Sequence, residues 1–205
     1  MYVLMINGSP KPNGCIGTAL KIIGEELAKE NIESEIVTVG NKDIRGCIAC
    51  TKCHETGKCV FNDLVNETAP KFERADALIL GTPVYFASAN GTLVSFADRL
   101  FYSTHFSKNM KLGASVVSCR RGGNSATFDE VNKYFTISGM PVVSSTYWND
   151  VHGYTGEDVY KDEEGVQTMK NLAHNMAFLL KSVALGKEQF GLPAIKKEVY
   201  TNMIR

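Results

Sequence analysis

The sequence predicts a doubly wound α/β domain, a parallel sheet with helices on both faces, from three observations. Short apolar runs rich in strand formers alternate with segments whose apolar residues recur every three or four positions. One run, Ala75-Asp76-Ala77-Leu78-Ile79-Leu80-Gly81, is nearly continuous in hydrophobicity, as a strand covered on both faces must be. Glycine and polar punctuation collects after the strands and before the helices, the rim at which such a sheet binds ligands.

The elements follow in order. Tyr2 to Ile6 reads as the first strand and is stopped by the turn residues Asn7 to Gly14. Ile16, Ala19, Leu20, Ile22, Ile23 and Leu27 mark the buried face of a helix ending near Asn31. Ser34 to Val39 alternates as a second strand, closed by Gly40 to Asp43. After a cysteine-rich loop, Asp63 caps a helix running to Arg74, with Leu64, Val65, Ala69 and Phe72 inward. The third strand, Ala75 to Gly81, leads into a long loop, Thr82 to Gly91, and then a helix to about Tyr102. Gly113 to Cys119 is the fourth strand, Arg120 to Ser125 its loop, Thr127 to Ser138 a helix and Pro141 to Thr146 the fifth strand. A final helix runs from Glu163 to about Ala184, Asp162-Glu163-Glu164 suiting its positive end. The domain is therefore placed at residues 1–185 and a tail at 186–205.

Composition removes several classes of function. At 205 residues and 44% hydrophobic, the chain can bury one good core. Its 22 Lys and Arg balance 22 Asp and Glu, so no net field draws nucleic acid or an anionic membrane. No stretch has the length of a membrane span, and no basic segment precedes an apolar core at the N-terminus, so a cytoplasmic location is expected.

The first loop points to an anion. A helix N-terminus presents unpaired N–H groups and the positive end of a dipole. Ser9 and Thr18 add hydroxyls, Lys11 adds charge, and Gly8, Gly14 and Gly17 allow close backbone approach. The loop lacks the Gly-Lys-Ser/Thr ending of a triphosphate site and the G-x-G-x-x-G spacing of a dinucleotide site. A phosphomonoester, as on FMN, is what remains; an ordinary strand-to-helix turn without ligand would have the same composition. The loops after strands one, three and four should converge on one pocket.

Four of the six cysteines, Cys47, Cys50, Cys53 and Cys59, form C-x2-C-x2-C-x5-C within one loop. Such a loop can wrap a cubane and give each iron one sulfur. Structural zinc more often uses two C-x2-C pairs set further apart. A four-iron cluster is the preferred reading, with a vacant reduced thiol loop, zinc or a disulfide as alternatives. Cys119 reads as a small buried hydrophobe, and Cys15, beside the phosphate, is given no catalytic role.

These motifs together resemble a family. Gly8-Ser9-Pro10-Lys11, Gly81-Thr82-Pro83-Val84-Tyr85-Phe86 and Arg120-Arg121-Gly122-Gly123 are similar to the three flavin-binding loops of the flavodoxin-like NAD(P)H-dependent FMN reductases, over roughly residues 1–184. The cysteine loop resembles that of the iron-sulfur flavoprotein subgroup, in which FMN and a four-iron cluster share one domain. The resemblance implies a five-stranded sheet of order 2-1-3-4-5. It also implies that Ser9, Lys11, Gly17, Thr18 and Ala19 surround the FMN phosphate. Pro83, Val84, Tyr85, Phe86, Ala87 and Ser88 would lie along the isoalloxazine, and Ser118, Arg120, Gly122 and Gly123 would approach its far edge. Cys47, Cys50, Cys53 and Cys59 would hold the metal. The family commonly has Arg where Lys11 stands and Ser-Asn-Thr where Ile16-Gly17-Thr18 stands, which shifts phosphate binding toward backbone amides.

A flat, largely apolar ring with a polar edge suits this set: Tyr85 and Phe86 offer a platform, the Gly122-Gly123 turn N–H donors, and Arg120 or Arg121 positive charge at the N1/C2 edge. Core packing of the aromatics and a solvated arginine pair are the plainer alternatives. The expected activity is transfer of reducing equivalents from NAD(P)H or ferredoxin to a small acceptor such as a quinone, flavin or nitroaromatic. A non-enzymatic electron carrier and a thiol or metal redox sensor are the rivals. Tyr147 to Tyr154 could wall the pocket, meet another subunit or cap the sheet edge. The apolar tail residues Phe190, Leu192, Ile195, Val199, Tyr200 and Ile204 predict a homodimer or homotetramer.

Overall fold

The computed structural model describes residues 1–196, 199 and 201. Strands β1 (Tyr2–Asn7), β2 (Glu33–Thr38), β3 (Ala77–Tyr85), β5 (Leu112–Cys119) and β6 (Asp150–His152) form the parallel sheet, in the spatial order β2-β1-β3-β5-β6. The two-residue strand β4 (Ser88–Ala89) pairs antiparallel with the end of β3. Between them run α1 (Cys15–Lys29), α2 (Lys52–Thr56), α3 (Leu64–Arg74), α4 (Gly91–Ser103), α5 (Asn124–Ile137) and α6 (Glu163–Phe190).

β1 is buried at all six positions, and its alternate residues feed two cores. Val3 and Met5 pack with Ile16, Leu20 and Ile23 of α1 and with Leu172 and Met176 of α6. Tyr2, Leu4 and Ile6 face the other way, onto Phe72 of α3, Phe96 of α4 and Phe135 of α5. Strand order therefore reverses at β1, and the crossovers from β1 and β3 leave on opposite faces. Asp63 accepts from the Val65 amide as the expected cap of α3. No helix among the described residues is long and apolar enough to cross a membrane.

Three expectations need correction. The fifth sheet position is filled by Asp150–His152 rather than Pro141–Thr146, which touches β5 only through an isolated bridge from Val142 to Gly113. Between Gly113 and Val117 β5 advances four residues while its neighbour advances eight, from Val142 to Asp150, so the surplus chain leaves the ladder and carries Tyr147 and Trp148 outward. Second, β3 continues past Gly81 to Tyr85 and folds back through β4, so the expected long loop is largely a hairpin. Its tip, Phe86-Ala87, has positive φ at both residues (53° and 59°), the geometry of a type I′ turn that Asn-Gly usually signals. Third, α6 extends to Phe190, so the first residues of the expected tail are helical. Beyond it the carbonyl of Pro193 accepts from Asn109 Nδ2 at 2.7 Å; Tyr200 and Ile204 lie outside the described residues.

Candidate active site

The loop after β1 is shaped by a residue that sequence reasoning passed over. Asn7, fully buried, accepts the Ser9 amide on its side-chain oxygen at 2.9 Å and donates to the carbonyl of Pro12. Ser9 Oγ in turn accepts the Lys11 amide at 3.2 Å. These bonds deliver the chain to Gly14, the N-cap of α1, which has no side chain to satisfy the helix. The first amide given a backbone acceptor is Thr18, bonded to Gly14 O, so Cys15, Ile16 and Gly17 present the free donors. Gly17 must be glycine, because a Cβ there would stand 1.8 Å from the Pro12 carbonyl oxygen.

Above this helix end lies an open crevice lined by Ser9, Lys11, Gly14, Cys15, Pro83, Val84, Tyr85, Ser118, Arg120 and Tyr154, among others. Among the residues expected in the site, the structure thus brings together Ser9, Lys11, Pro83, Val84, Tyr85, Ser118 and Arg120. The rest stand apart from its lining. Ala19 is fully buried in the core under α1, and Thr18 lies against the turn at Gly156. Gly122 is exposed, whereas Gly123, at φ 89°, packs on Ala87 and Val84 and so braces the hairpin. Phe86 is fully exposed at the tip, Ala87 is exposed beside it, and Ser88 donates its hydroxyl to Glu130, which also accepts the Ala89 amide, each at 2.8 Å.

Cys15 of the first loop also lines the crevice, as do Gly153 and Tyr154 from the aromatic segment that could wall it. The Lys11 ammonium lies 5.6 Å from the Tyr154 ring centroid, so the aromatic loop does reach the rim. Burial pushes the Cys15 thiol up, and Asp158 adds to that against the opposing pull of a backbone hydrogen bond and Lys11. Its Sγ donates to the carbonyl of Thr155 at 3.2 Å.

The four clustered cysteines line a second, separate hollow, with Ile48, Val60, Phe61, Arg99, Tyr102 and Ser103. Cys47 and Cys50 are exposed, Cys59 half-buried and Cys53 buried. Burial raises the Cys53 pKa, and the three neighbouring thiols raise it further. None of the six cysteines is in a disulfide. The hollow measures about 20 Å³, room for about one water. Among the described residues no group of three or more His, Cys, Asp or Glu side chains is already arranged to hold a metal ion. The donor set still suits a thiophilic cluster: four cysteines line one apolar hollow, and two of their sulfurs accept N–H bonds, Cys47 from Ala49 and Cys59 from Arg99.

Residues 1–155 match the family model for NADPH-dependent FMN reductases. The chain belongs to that family. Membership makes it a flavin oxidoreductase by descent, and the crevice occupies the rim where such a sheet takes its ligand. Two curated relatives match nearly end to end. An iron-sulfur flavoprotein of Methanocaldococcus jannaschii is 32% identical over 89% of this chain and 99% of its own. Another, of Methanosarcina thermophila, is 30% identical over 92% and 100%. Among solved structures, RosB with bound 8-demethyl-8-formylriboflavin-5'-phosphate superposes with a TM-score of 0.69 at 15% identity, covering 100% of this chain and 94% of that one, a likeness of fold.

Proposed function

We propose that this protein is an FMN-dependent oxidoreductase that takes reducing equivalents from NAD(P)H, or from ferredoxin, and passes them to a small acceptor such as a quinone, flavin or nitroaromatic. The four cysteines hold a four-iron cluster in this reading. The observation that carries it is the crevice over the uncapped N-terminus of α1, where the loops of β1, β3 and β5 meet.

Ser9, Lys11, Gly14 and Cys15, which line the crevice at the start of α1, would hold the phosphate through hydroxyl and backbone donors and one positive charge. Pro83, Val84 and Tyr85 supply the apolar wall along the ring, braced by Gly123, and Arg120 places a cation toward its polar edge. When bound, the flavin supplies hydride acceptance and single-electron release, and the cluster one-electron transfer. Cys47, Cys50, Cys53 and Cys59 would hold that cluster through their thiolates, two of them exposed, one half-buried and one buried. A reducing cytoplasm keeps such thiols available as ligands. Exposed Phe178, Leu185 and Phe190 along α6 support a homodimer or homotetramer, checked by light scattering on the purified chain.

The test is anaerobic purification followed by FMN, iron and sulfide analysis and steady-state NADPH and NADH oxidation with quinone, flavin and nitroaromatic acceptors. Stoichiometric FMN and turnover with at least one acceptor are expected. A chain that takes up no FMN on reconstitution overturns the reading, and one that keeps FMN and cluster yet turns over no nicotinamide is a carrier.

A further inference from the structure

Arg99, in the middle of α4, is only 1% exposed, and every one of its five N–H donors is engaged. Nε donates to Cys59 Sγ at 3.2 Å. The two terminal nitrogens grip Asp63 in a fork, at 2.7 and 2.9 Å. Their remaining hydrogens go to the carbonyls of Arg45 and Phe61, both at 3.3 Å. Those two carbonyls stand just outside the cysteine loop, two residues before Cys47 and two after Cys59. The Phe61 ring is within cation–π reach of both guanidiniums, 5.0 Å from that of Arg99 and 4.7 Å from that of Arg45. One buried side chain thus ties both stems of the loop together, touches one of its sulfurs and spends its charge on the residue that caps α3.

Nothing in an apolar core calls for such an arrangement. A guanidinium left with a carboxylate alone would be held as well at the surface, and burial of the pair costs more than it returns unless each hydrogen finds an acceptor. Two of the acceptor residues here, Cys59 and Phe61, line the hollow, and the other two brace the chain beside it.

We propose that Arg99 is the positioning residue of the cysteine centre: it holds the loop ends so that the four sulfurs share one hollow, and its N–H···S bond to Cys59 tunes the bound cluster. The inference rests on the reading that the cysteines hold iron. Hydrogen bonds to cluster sulfurs and nearby net charge set reduction potential, and partners one shell out from the ligands govern metal retention. Arg99 with Asp63 is close to neutral as a pair, so the two members act on potential with opposite sign.

The experiment uses full-length, anaerobically reconstituted protein in three forms: unmodified, Arg99→Lys and Asp63→Asn. Lysine keeps the charge and loses the fork and the Nε donor. Arg99→Lys is expected to lose iron to a chelator about tenfold faster or more, and its cluster to become harder to reduce by about tenfold, roughly 59 mV for one electron. Asp63→Asn leaves the cation uncompensated and is expected to move the midpoint the other way. FMN content serves as the control for folding. Wild-type retention and midpoint in both variants would overturn the proposal, as would shifts of the same sign, which would mark a merely structural pair. If Arg99→Lys does not fold, an unchanged midpoint in Asp63→Asn is enough to overturn the tuning. An unmodified protein that takes up no iron overturns the cysteine-centre reading itself, a result seen without either variant.

Discussion

The crevice over α1 and the hollow among the cysteines are built by opposite means. The crevice is made of backbone: free amides, close turns and loops that issue from neighbouring strands, so the hydrogen-bond ladder of the sheet places its parts. The hollow is made of side chains on a segment with no ladder. Its chain is bent by left-handed residues, Ala49 at φ 53°, Thr51 at 58° and Gly57 at 69°, and is held by side chains, the buried Arg99 at both stems and Asn66 at Cys59 and Phe61. A site at a sheet rim is formed before its ligand arrives, whereas a loop site stores strain that its ligand or a clamp must offset.

The two sites should therefore fail independently, and the sharpest test takes one variant in each. Cys59→Ser keeps an acceptor for Arg99 Nε but removes a thiolate; iron should be lost almost completely, with FMN content unchanged, by elemental and flavin analysis. Gly17→Ala drives a methyl toward the Pro12 carbonyl and should lower stability by about 1–3 kcal/mol in denaturant melts. FMN should bind at least about tenfold more weakly to that variant, while iron is retained. Loss of both groups in either variant would break the contrast.

A smaller effect is expected from the strained loop. Thr51 is β-branched and left-handed, so Thr51→Gly should stabilise the iron-free protein by about 0.5–1 kcal/mol, read from the denaturation midpoint. No change would mean that the loop carries no strain without its metal.

The smallest concerns α4, which begins beside the hairpin and carries Arg99. Lys108 donates to Thr104 O just past the end of this helix, at 2.7 Å, and burial lowers its pKa to about 8, with Lys111 adding to the effect. Below pH 8 the side chain is charged folded and unfolded, and the burial cost is felt in full. Between about 8 and 10.5 the unfolded chain binds more protons than the folded one, so this residue makes stability rise with pH. Lys108→Met should flatten that rise in thermal melts.

Much of this was legible along the chain. Strands β1, β2, β3 and β5 announced themselves by apolar runs, and the cysteine spacing and the glycines of the first loop pointed to the chemistry proposed above. The fifth strand was misplaced because Pro141 to Thr146 has the right residues in the wrong register; pairing is decided by what β5 offers opposite them. The hairpin at Tyr85 escaped notice because its turn is Phe-Ala, and left-handed φ at such residues has no local signal.

Local order thus determined the fold class, the glycine-rich turn after β1 and the clustering of four thiols, because periodicity, turn chemistry and spacing are properties of neighbouring residues. Tertiary structure alone decided which distant groups meet: Arg99 with Cys59, forty positions apart, and Lys11 with Tyr154. A contact between residues far apart in sequence depends on how the sheet and its covering helices pack, and no short stretch of chain encodes that geometry.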